Sequence, residues 1–331
     1  MRKTYKDAGV DIAAAVNALK DIGELAKSTY SPNVLSTVGS FGAQFLFPAE
    51  DYDKPVLVSS TDGVGTKTLV AAEMGIYNTV GEDLLNHCVN DILTIGAKPL
   101  FMLDYIGVGK LNSSNMTELI SGLVKACKET GCSLIGGEMA EMPEIYRDSH
   151  YDLVGTIVGV VEQDRILDGK NIKIGDILIG LPSNGLHTNG FTLARNILFE
   201  DMSITEYNSA LDSILGEELL RVHKCYLNSV EPLLSQNLVS GLAHITGGGI
   251  EGNTSRLLSD GLSLQIDWNS WQPQPIFELI QETGEVPEKE MQKTFNMGIG
   301  FVVVCSEENV DRVTELAGNN GEKPEVIGKI V

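Results

Sequence analysis

Val56-Leu57-Val58-Ser59-Ser60-Thr61-Asp62-Gly63-Val64-Gly65-Thr66-Lys67-Thr68 decides how this chain is read. The apolar, β-branched opening predicts the end of a buried strand. The run then breaks at Asp62-Gly63-Val64-Gly65, where two glycines permit a tight turn that exposes backbone. Lys67 follows at once. A strand that delivers a carboxylate, backbone N–H groups and a lysine to one point suits a metal-bound phosphate: the carboxylate holds the cation, the amides and ammonium take phosphate oxygens. The same residues also describe a strand followed by a hairpin turn with a solvated Asp and Lys, and both readings stay open here. The stretch is not a Walker A loop, because Thr66 separates Gly65 from Lys67.

Working outward, carboxylates recur at element ends. Leu84, Leu85, Cys88, Val89, Ile92 and Leu93 have helical spacing and predict a core helix, within which Asn90-Asp91 is a costly polar pair unless something holds it. Asp91 is therefore a candidate metal ligand, while His87 reads as a helix-surface histidine. Pro99–Gly107 predicts a strand ending in Asp104-Tyr105, and Asn112–Thr130 a capped helix with Gly131 at its stop. Cys132–Ile135 predicts a strand running into Gly136-Gly137-Glu138, and Tyr151–Val161 a further strand. Strand ends carrying Asp62, Asp104 and Glu138 suggest one carboxylate cluster, of which a Mg²⁺ site uses one or two members plus phosphate oxygens. Nearer the N-terminus, Ile12–Lys27 predicts a helix with Asp11 as a candidate cap. Val38-Gly39-Ser40-Phe41-Gly42-Ala43 reads either as a loop that closes over phosphates or as a hairpin.

Asp164–Gly175 is polar and turn-rich and marks a domain boundary, giving domains 1–167 and 168–331. Beyond it, Ile177–Leu181 predicts a strand. Ser183, His187, Thr188 and Asn189 then fall in a glycine-rich loop before a helix over Thr192–Phe199, either an oxyanion site or a decorated cap. Glu217–Leu234 predicts one helix. Ala243-His244-Ile245-Thr246-Gly247-Gly248-Gly249 predicts a strand end followed by a phosphate-approaching backbone, because three consecutive glycines are expensive to order. Ser263–Asp267, Phe301–Cys305 and Glu325–Ile330 predict strands, and Pro275–Thr283 and Glu307–Leu316 helices. Mixed strands and helices in each half, without clean β-α-β alternation, predict an α+β fold of α/β mixed layers.

Composition sets the bounds. The chain has 331 residues, the prior for two domains, and 43% hydrophobic residues, enough for two cores. A formal net charge of −21 argues against nucleic-acid or anionic-membrane partners, though not against a nucleotide in a locally cationic or metal-bearing site. No apolar run follows Met1-Arg2-Lys3, and none is long enough to span a bilayer, so neither a signal peptide nor a membrane segment is expected. The five scattered cysteines form no C-x-x-C pair and read as reduced thiols of a cytoplasmic protein.

Taken together, these motifs resemble the phosphoribosylformylglycinamidine cyclo-ligase (AIR synthetase) family. The carriers are Tyr5-Lys6-Asp7-Ala8-Gly9-Val10-Asp11, Gly39–Ala43, Thr61–Lys67, Cys88–Asp91, Leu103–Tyr105, Gly136–Glu138 with Ala140-Glu141-Met142-Pro143, His187–Gly190, His244–Gly249 and Thr294–Asn296. They occur in the family's order and span nearly the whole chain. The resemblance implies two α/β domains, the N-terminal one dimerising with its twin into a homodimer. It also implies Mg²⁺- and ATP-dependent conversion of formylglycinamidine ribonucleotide to aminoimidazole ribonucleotide, ADP and phosphate, through an imidoyl phosphate. The fold is similar to that of selenophosphate synthetase, thiamine-monophosphate kinase and a hydrogenase-maturation protein, so a small-molecule kinase or synthetase is the alternative, with a non-catalytic ADP-binding scaffold behind it.

The implied roles follow the motifs. Asp62, Asp91 and Glu138 hold metal. Asp62, Gly63, Lys67 and Asp91 handle the triphosphate beneath Gly39, Ser40, Phe41, Gly42 and Ala43. Asn189, Thr246 and the amides of Gly247, Gly248 and Gly249 take the substrate and its ribose phosphate, and Lys67, His187 and His244 serve catalysis. Two departures stand out: Gly252 and Ser255 replace the family's usual glutamate and proline, and Met139 replaces a threonine beside Glu138.

Overall fold

In a computed structural model, residues 12–331 are described, with side chains from Lys20 onward; the Tyr5–Asp11 motif and the Asp11 cap lie outside the described residues. The chain divides into two compact units. The first comprises residues up to Val89 with Lys98–Gln163, the second Asn90–Ala97 with Asp164–Val331.

The first unit contains α1 (Ile12–Lys27), β1 (Pro55–Gly63), α2 (Lys67–Met74), α3 (Asn78–Leu93, whose last residues group with the second unit), β2 (Lys98–Val108), α4 (Ser113–Thr130), β3 (Ser133–Glu141) and β4 (Tyr151–Glu162). Its sheet runs β1-β4-β2-β3, antiparallel except for the β2–β3 pair, which α4 links as a parallel crossover. Asn112 caps α4, its Oδ1 accepting from the N–H groups of Ser114 and Asn115, and Gly131 closes the helix in the left-handed region, as the sequence predicts. The core lies between α3, α4 and one sheet face: Leu84, Leu85, Cys88, Met102, Ile106, Leu119, Leu123, Leu153 and Ile157 are all fully enclosed. Two glycines let α3 and α4 touch backbone to backbone. A Cβ on Gly81 would fall 2.0 Å from the Leu119 carbonyl oxygen, and one on Gly122 1.8 Å from that of Asn78. The opposite sheet face is open, with Leu57 61% and Leu103 36% exposed.

The second unit contains β5 (Ile177–Pro182), α5 (Phe191–Asp201), a short hairpin of β6 (Tyr207–Asn208) and β7 (Ser213–Ile214), α6 (Leu215–Leu219), α7 (Leu227–Ser235), β8 (Gly241–His244) and α8 (Gly249–Thr254). After these come β9 (Leu264–Ile266), α9 (Pro275–Thr283), α10 (Glu288–Thr294), β10 (Ile299–Cys305), α11 (Val310–Asn319) and β11 (Glu325–Ile330). The sheet order is β8-β10-β5-β11-β9, every neighbouring pair antiparallel. Every residue of β10 is buried, so this interior strand is covered on both faces. One side packs Ile172, Leu178, Ile250, Val302, Val304 and Ile327; on the other, Phe301 meets Tyr226 at 5.1 Å between ring centroids.

The α+β architecture with mixed layers is the one the sequence predicts. One helix is not. Glu217–Leu234 forms two helices, α6 and α7, parted by Leu220–Tyr226. Val222, His223 and Tyr226 are weak helix formers, and the Tyr226 N–H is drawn to the Asn90 side chain, donating to Oδ1 at 3.0 Å. The β6–β7 hairpin and α10 carry no periodicity strong enough to announce them.

Candidate functional site

The β1–α2 turn places Asp62 at a strand end, where its side chain is 44% exposed. Oδ2 lies 2.8 Å from His87 Nε2, and Oδ1 accepts the Gly63 N–H at 2.7 Å. Each oxygen keeps lone-pair capacity for a cation or donor. Lys67 sits differently from the sequence expectation. Its ammonium is enclosed, 2.8 Å from Asp83 Oδ2, both side chains 0% exposed. Burial lowers its pKa, while Asp83 opposes that shift. As folded, Lys67 fastens the start of α2 to α3 and does not present its charge to a ligand.

The expected single carboxylate cluster is spread across the sheet. Asp62 pairs in register with Gly155, Gly155 with Asp104, and Asp104 with Gly137. Directly opposed residues share a face, so Asp62 and Asp104 point the same way. Glu138, one residue after Gly137, points the other way and is exposed. With strands about 4.8 Å apart, the Asp62 and Gly137 positions are roughly 14 Å apart. Asp104 lines a small pocket with Val38, Ile120, Gly137, Glu138 and Met139. Burial pushes its pKa up to about 7. Gly137 is required beside it, since a Cβ there would fall 2.2 Å from Asp104 Oδ1. Gly39, Ser40, Phe41, Gly42 and Ala43 form the solvent-facing tip of a loop closed by a Val34–Phe45 bridge and a Leu35 N–H to Gln44 carbonyl bond of 2.9 Å.

In the second unit a polar row forms where β8 ends. Asp91 Oδ1 lies 2.8 Å from His244 Nδ1, and His244 Nε2 lies 2.9 Å from His223 Nε2. His223 Nδ1 lies 3.2 Å from Thr188 Oγ1. His187 stacks on His223 with centroids 4.1 Å apart, and its Nε2 accepts from the backbone N–H groups of Asn184 (3.0 Å) and Lys224 (3.4 Å). The three imidazoles are buried, whereas the Asp91 side chain is 27% exposed, so the carboxylate is the accessible end of the row. His187 holds φ at +61°, strained backbone of the kind that collects at functional sites. Gly300 makes room for it: a Cβ there would stand 2.5 Å from His187 Cε1 and 2.2 Å from the Tyr226 hydroxyl. Ser183 is spent on the loop itself, bonding the Gly185 carbonyl and Asn296 Oδ1.

The triple glycine has a structural reason that the sequence reading did not foresee. A Cβ on Gly249 would lie 1.8 Å from the Gln292 carbonyl oxygen, and Gly248 holds φ at +105° as the cap of α8. The Gly248 and Gly249 amides donate within the chain, to the carbonyls of Lys293 and Thr246. Gly247 is exposed and lies beside Asn189, whose Oδ1 is 3.5 Å from the position of a Gly247 Cβ. Asn253 braces the loop, its amide donating to the carbonyls of Thr246, Gly247 and Gly249 while Thr246 Oγ1 donates to its Oδ1. Gly252 faces open space, and Ser255 is exposed.

His87, expected on a helix surface, is instead buried 2.8 Å from Asp62, and a second site residue, His223, escapes the sequence reading altogether. It fell inside the expected Glu217–Leu234 helix, and only its weak helix-forming neighbours hinted at a break there. Asn90, the polar residue within an apolar helix, is held on both sides: the Lys224 carbonyl accepts from Nδ2 at 2.8 Å and the Tyr226 N–H donates to Oδ1. Among the described residues, no helix is long and apolar enough to cross a membrane.

Comparison with known proteins agrees with this architecture. A model described as AIR synthase related protein, N-terminal domain, matches residues 50–161, and its C-terminal counterpart matches 173–331. Phosphoribosylformylglycinamidine cyclo-ligase of Thermodesulfovibrio yellowstonii is 47% identical over 99% of this chain and 96% of its own length. That of Pseudothermotoga lettingae is 48% identical over 99% and 97%. Among solved structures, thiamine-monophosphate kinase from Stenotrophomonas maltophilia superposes with TM-score 0.68 at 15% identity, covering 95% of this chain and 93% of that one. Hydrogenase maturation protein HypE in complex with ATP does so with 0.69 at 14%, covering 98% and 88%. The latter two show a shared fold; the full-length identity to the former shows that this chain belongs to the phosphoribosylformylglycinamidine cyclo-ligase family.

Proposed function

We propose that the chain catalyses the ATP-dependent cyclisation of formylglycinamidine ribonucleotide to 5-aminoimidazole ribonucleotide, releasing ADP and phosphate, as a step of purine biosynthesis. The carrying observation is identity of 44–48% to cyclo-ligases over essentially the whole chain. ATP as the nucleotide is supported by fold relatives whose structures hold ATP or its analogue AMPPCP. Magnesium suits the partly exposed carboxylates of Asp62 and Asp91, each able to serve as an oxygen ligand; when bound, it neutralises phosphate charge.

The chemistry follows from the poor leaving ability of an amide oxygen. The formyl oxygen attacks the γ-phosphorus and ADP departs, leaving an imidoyl phosphate. The amidine nitrogen then attacks that carbon, the C–O bond breaks, and phosphate leaves with the former formyl oxygen as the nitrogen loses its proton. Positioning and charge neutralisation are the main demands on the protein. Nucleotide handling is assigned to Asp62, Gly63 and the Gly39–Ala43 loop, with Glu138 as a further acidic ligand. Substrate contact is assigned to Asn189, Thr246 and the exposed backbone at Gly247. The buried imidazoles of His187 and His244 act by positioning, His244 through the Asp91 carboxylate. Lys67 acts by anchoring the β1–α2 turn.

A homodimer formed through the open sheet face of the N-terminal domain, residues 1–167, is part of this reading, with residues 168–331 as the substrate domain in a cytoplasmic enzyme. The exposed Leu57 and Leu103 on that face supply its motive. The test uses substrate labelled with heavy oxygen at the formyl group. Aminoimidazole should form with one labelled oxygen per phosphate. A stable phosphorylated substrate would instead mean a kinase of the same fold, and label recovered in water would exclude the imidoyl phosphate.

A further inference from the structure

Arg195 lies in the second turn of α5 and, among the described residues, makes no hydrogen bond or ion pair. The residue is half-buried, and its Nε is enclosed without an acceptor. The chain holds 45 acidic residues against 24 lysines and arginines, so a partner was not scarce. Arginine is seldom buried unless paired, and an enclosed donor without an acceptor loses its hydration for nothing. Arg221 and Arg312 each find a glutamate three residues away. Arg256 and Lys293 are exposed and need none.

The position on the helix says where this guanidinium goes. Phe191, Ala194 and Leu198 turn inward from α5, while Thr192 and Asn196 are exposed, so Arg195 stands on the border between the covered and the open side. A long helical side chain folds back over the turn before its own Cα. That carries the guanidinium past Phe191 and Thr192 toward the loop that holds Asn189. The Asn189 side-chain nitrogen is enclosed as well and has no acceptor. Asn189 Oδ1 borders the exposed Gly247 backbone, 3.5 Å from where a Gly247 Cβ would stand. Two unused donor side chains beside exposed backbone are complementary to an anion rich in acceptors. A phosphate monoester is such an anion, and a guanidinium meets its oxygens two at a time. The neutral donors of Asn189 and Gly247 alone would leave its charge unbalanced.

We propose that Arg195 is a binding residue for the ribose phosphate of the substrate: with the Asn189 amide it takes the phosphate oxygens, and it supplies the positive charge that the glycine loop lacks. The identity of the substrate rests on the cyclo-ligase reading; the phosphate site itself does not. An arginine kept for the fold would show the partners that Arg195 is without.

Two measurements on the full-length protein decide it. In calorimetric titration, ribose 5-phosphate should bind the parent more tightly than ribose does, and Arg195→Met should raise its Kd by about 10- to 100-fold. Arg195→Lys, which keeps the charge without the fork, should recover part of that loss. The urea midpoint of Arg195→Met should equal or exceed the parent's, because the variant keeps the apolar stem and removes an enclosed orphan donor. An unchanged Kd in folded Arg195→Met, or a parent that does not distinguish ribose 5-phosphate from ribose, overturns the proposal. So does a midpoint well below the parent's, which would show the guanidinium already partnered in the free protein. In the cyclisation assay, Arg195→Met should raise KM for formylglycinamidine ribonucleotide by about 10- to 100-fold with KM for ATP retained. The reverse split would put Arg195 on the nucleotide and overturn the proposal. A parent that makes no aminoimidazole would refute the cyclo-ligase reading instead, leaving the ribose 5-phosphate titration to decide this proposal alone.

Discussion

Replacing Lys67 with methionine separates two explanations of the lysine in the Asp62–Lys67 turn. Lys67 Nζ and Asp83 Oδ2 are 2.8 Å apart with both side chains 0% exposed. Methionine keeps the length of the side chain and removes the charge, leaving Asp83 buried without its cation. Removing one member of a buried pair is destabilising by about 3–5 kcal/mol, because the remaining charge has lost its compensation. With a urea m-value of about 2 kcal/mol per molar, the unfolding midpoint should fall by about 2 M. The pair-deleting variant Lys67→Met with Asp83→Leu should recover most of that stability, since two apolar groups leave no orphaned charge. Urea denaturation followed by circular dichroism, with ATP binding measured in parallel, makes the comparison. A midpoint unchanged in Lys67→Met, combined with abolished ATP binding, would refute the anchoring argument and return the lysine to the triphosphate.

Other consequences can be checked independently. Asp104, with its pKa pushed up to about 7 from 3.8, binds more protons when folded than unfolded between those values. Its contribution to stability is therefore present in acid and lost as pH rises through about 7, and Asp104→Asn should flatten that slope in denaturation series across this window. Gly249→Ala should lower stability by more than the about 1–2 kcal/mol of a left-handed non-glycine residue, since the added Cβ also overlaps the Gln292 carbonyl. Gly252→Ala, in open space within α8, should raise stability by about 0.4–1 kcal/mol; a loss there would refute the open-space argument. Leu57→Glu combined with Leu103→Glu on the open face should shift light-scattering mass from dimer to monomer, and a parent that is already monomeric would remove the dimer from the functional reading.

Much of the fold was legible because local signals agreed with one another. In α4 the Asn112 cap, the apolar spacing and the Gly131 stop all point to the same helix, and the structure has it. Strand β4 reads from its sequence because every second residue is buried from Tyr151 to Gly159. Strand order was not legible. Asp62, Asp104 and Glu138 each end a strand in the sequence, but pairing through Gly155 and Gly137 decides that two share a face and the third does not. That is long-range information no local pattern contains. The glycines mislead for a related reason. Gly248 and Gly249 look like a phosphate cradle, yet a left-handed φ and the backbone of α10 already require them.

The histidine row shows where sequence reasoning reaches its limit. A polar pair inside an apolar helix, Asn90-Asp91, announces that something must hold it, because burying unpaired polar groups is costly. The sequence cannot say what does the holding, since the partners come from residues 223, 224, 226 and 244. Those partners in turn explain the failed helix: once the Tyr226 N–H is committed to Asn90 and the Lys224 carbonyl accepts from it, the segment between α6 and α7 has an alternative to helical hydrogen bonds. The missed break and the missed histidine are therefore one event. A buried amide of fixed polarity draws the backbone out of its helix and stands 3.2 Å from the ring that the break delivers.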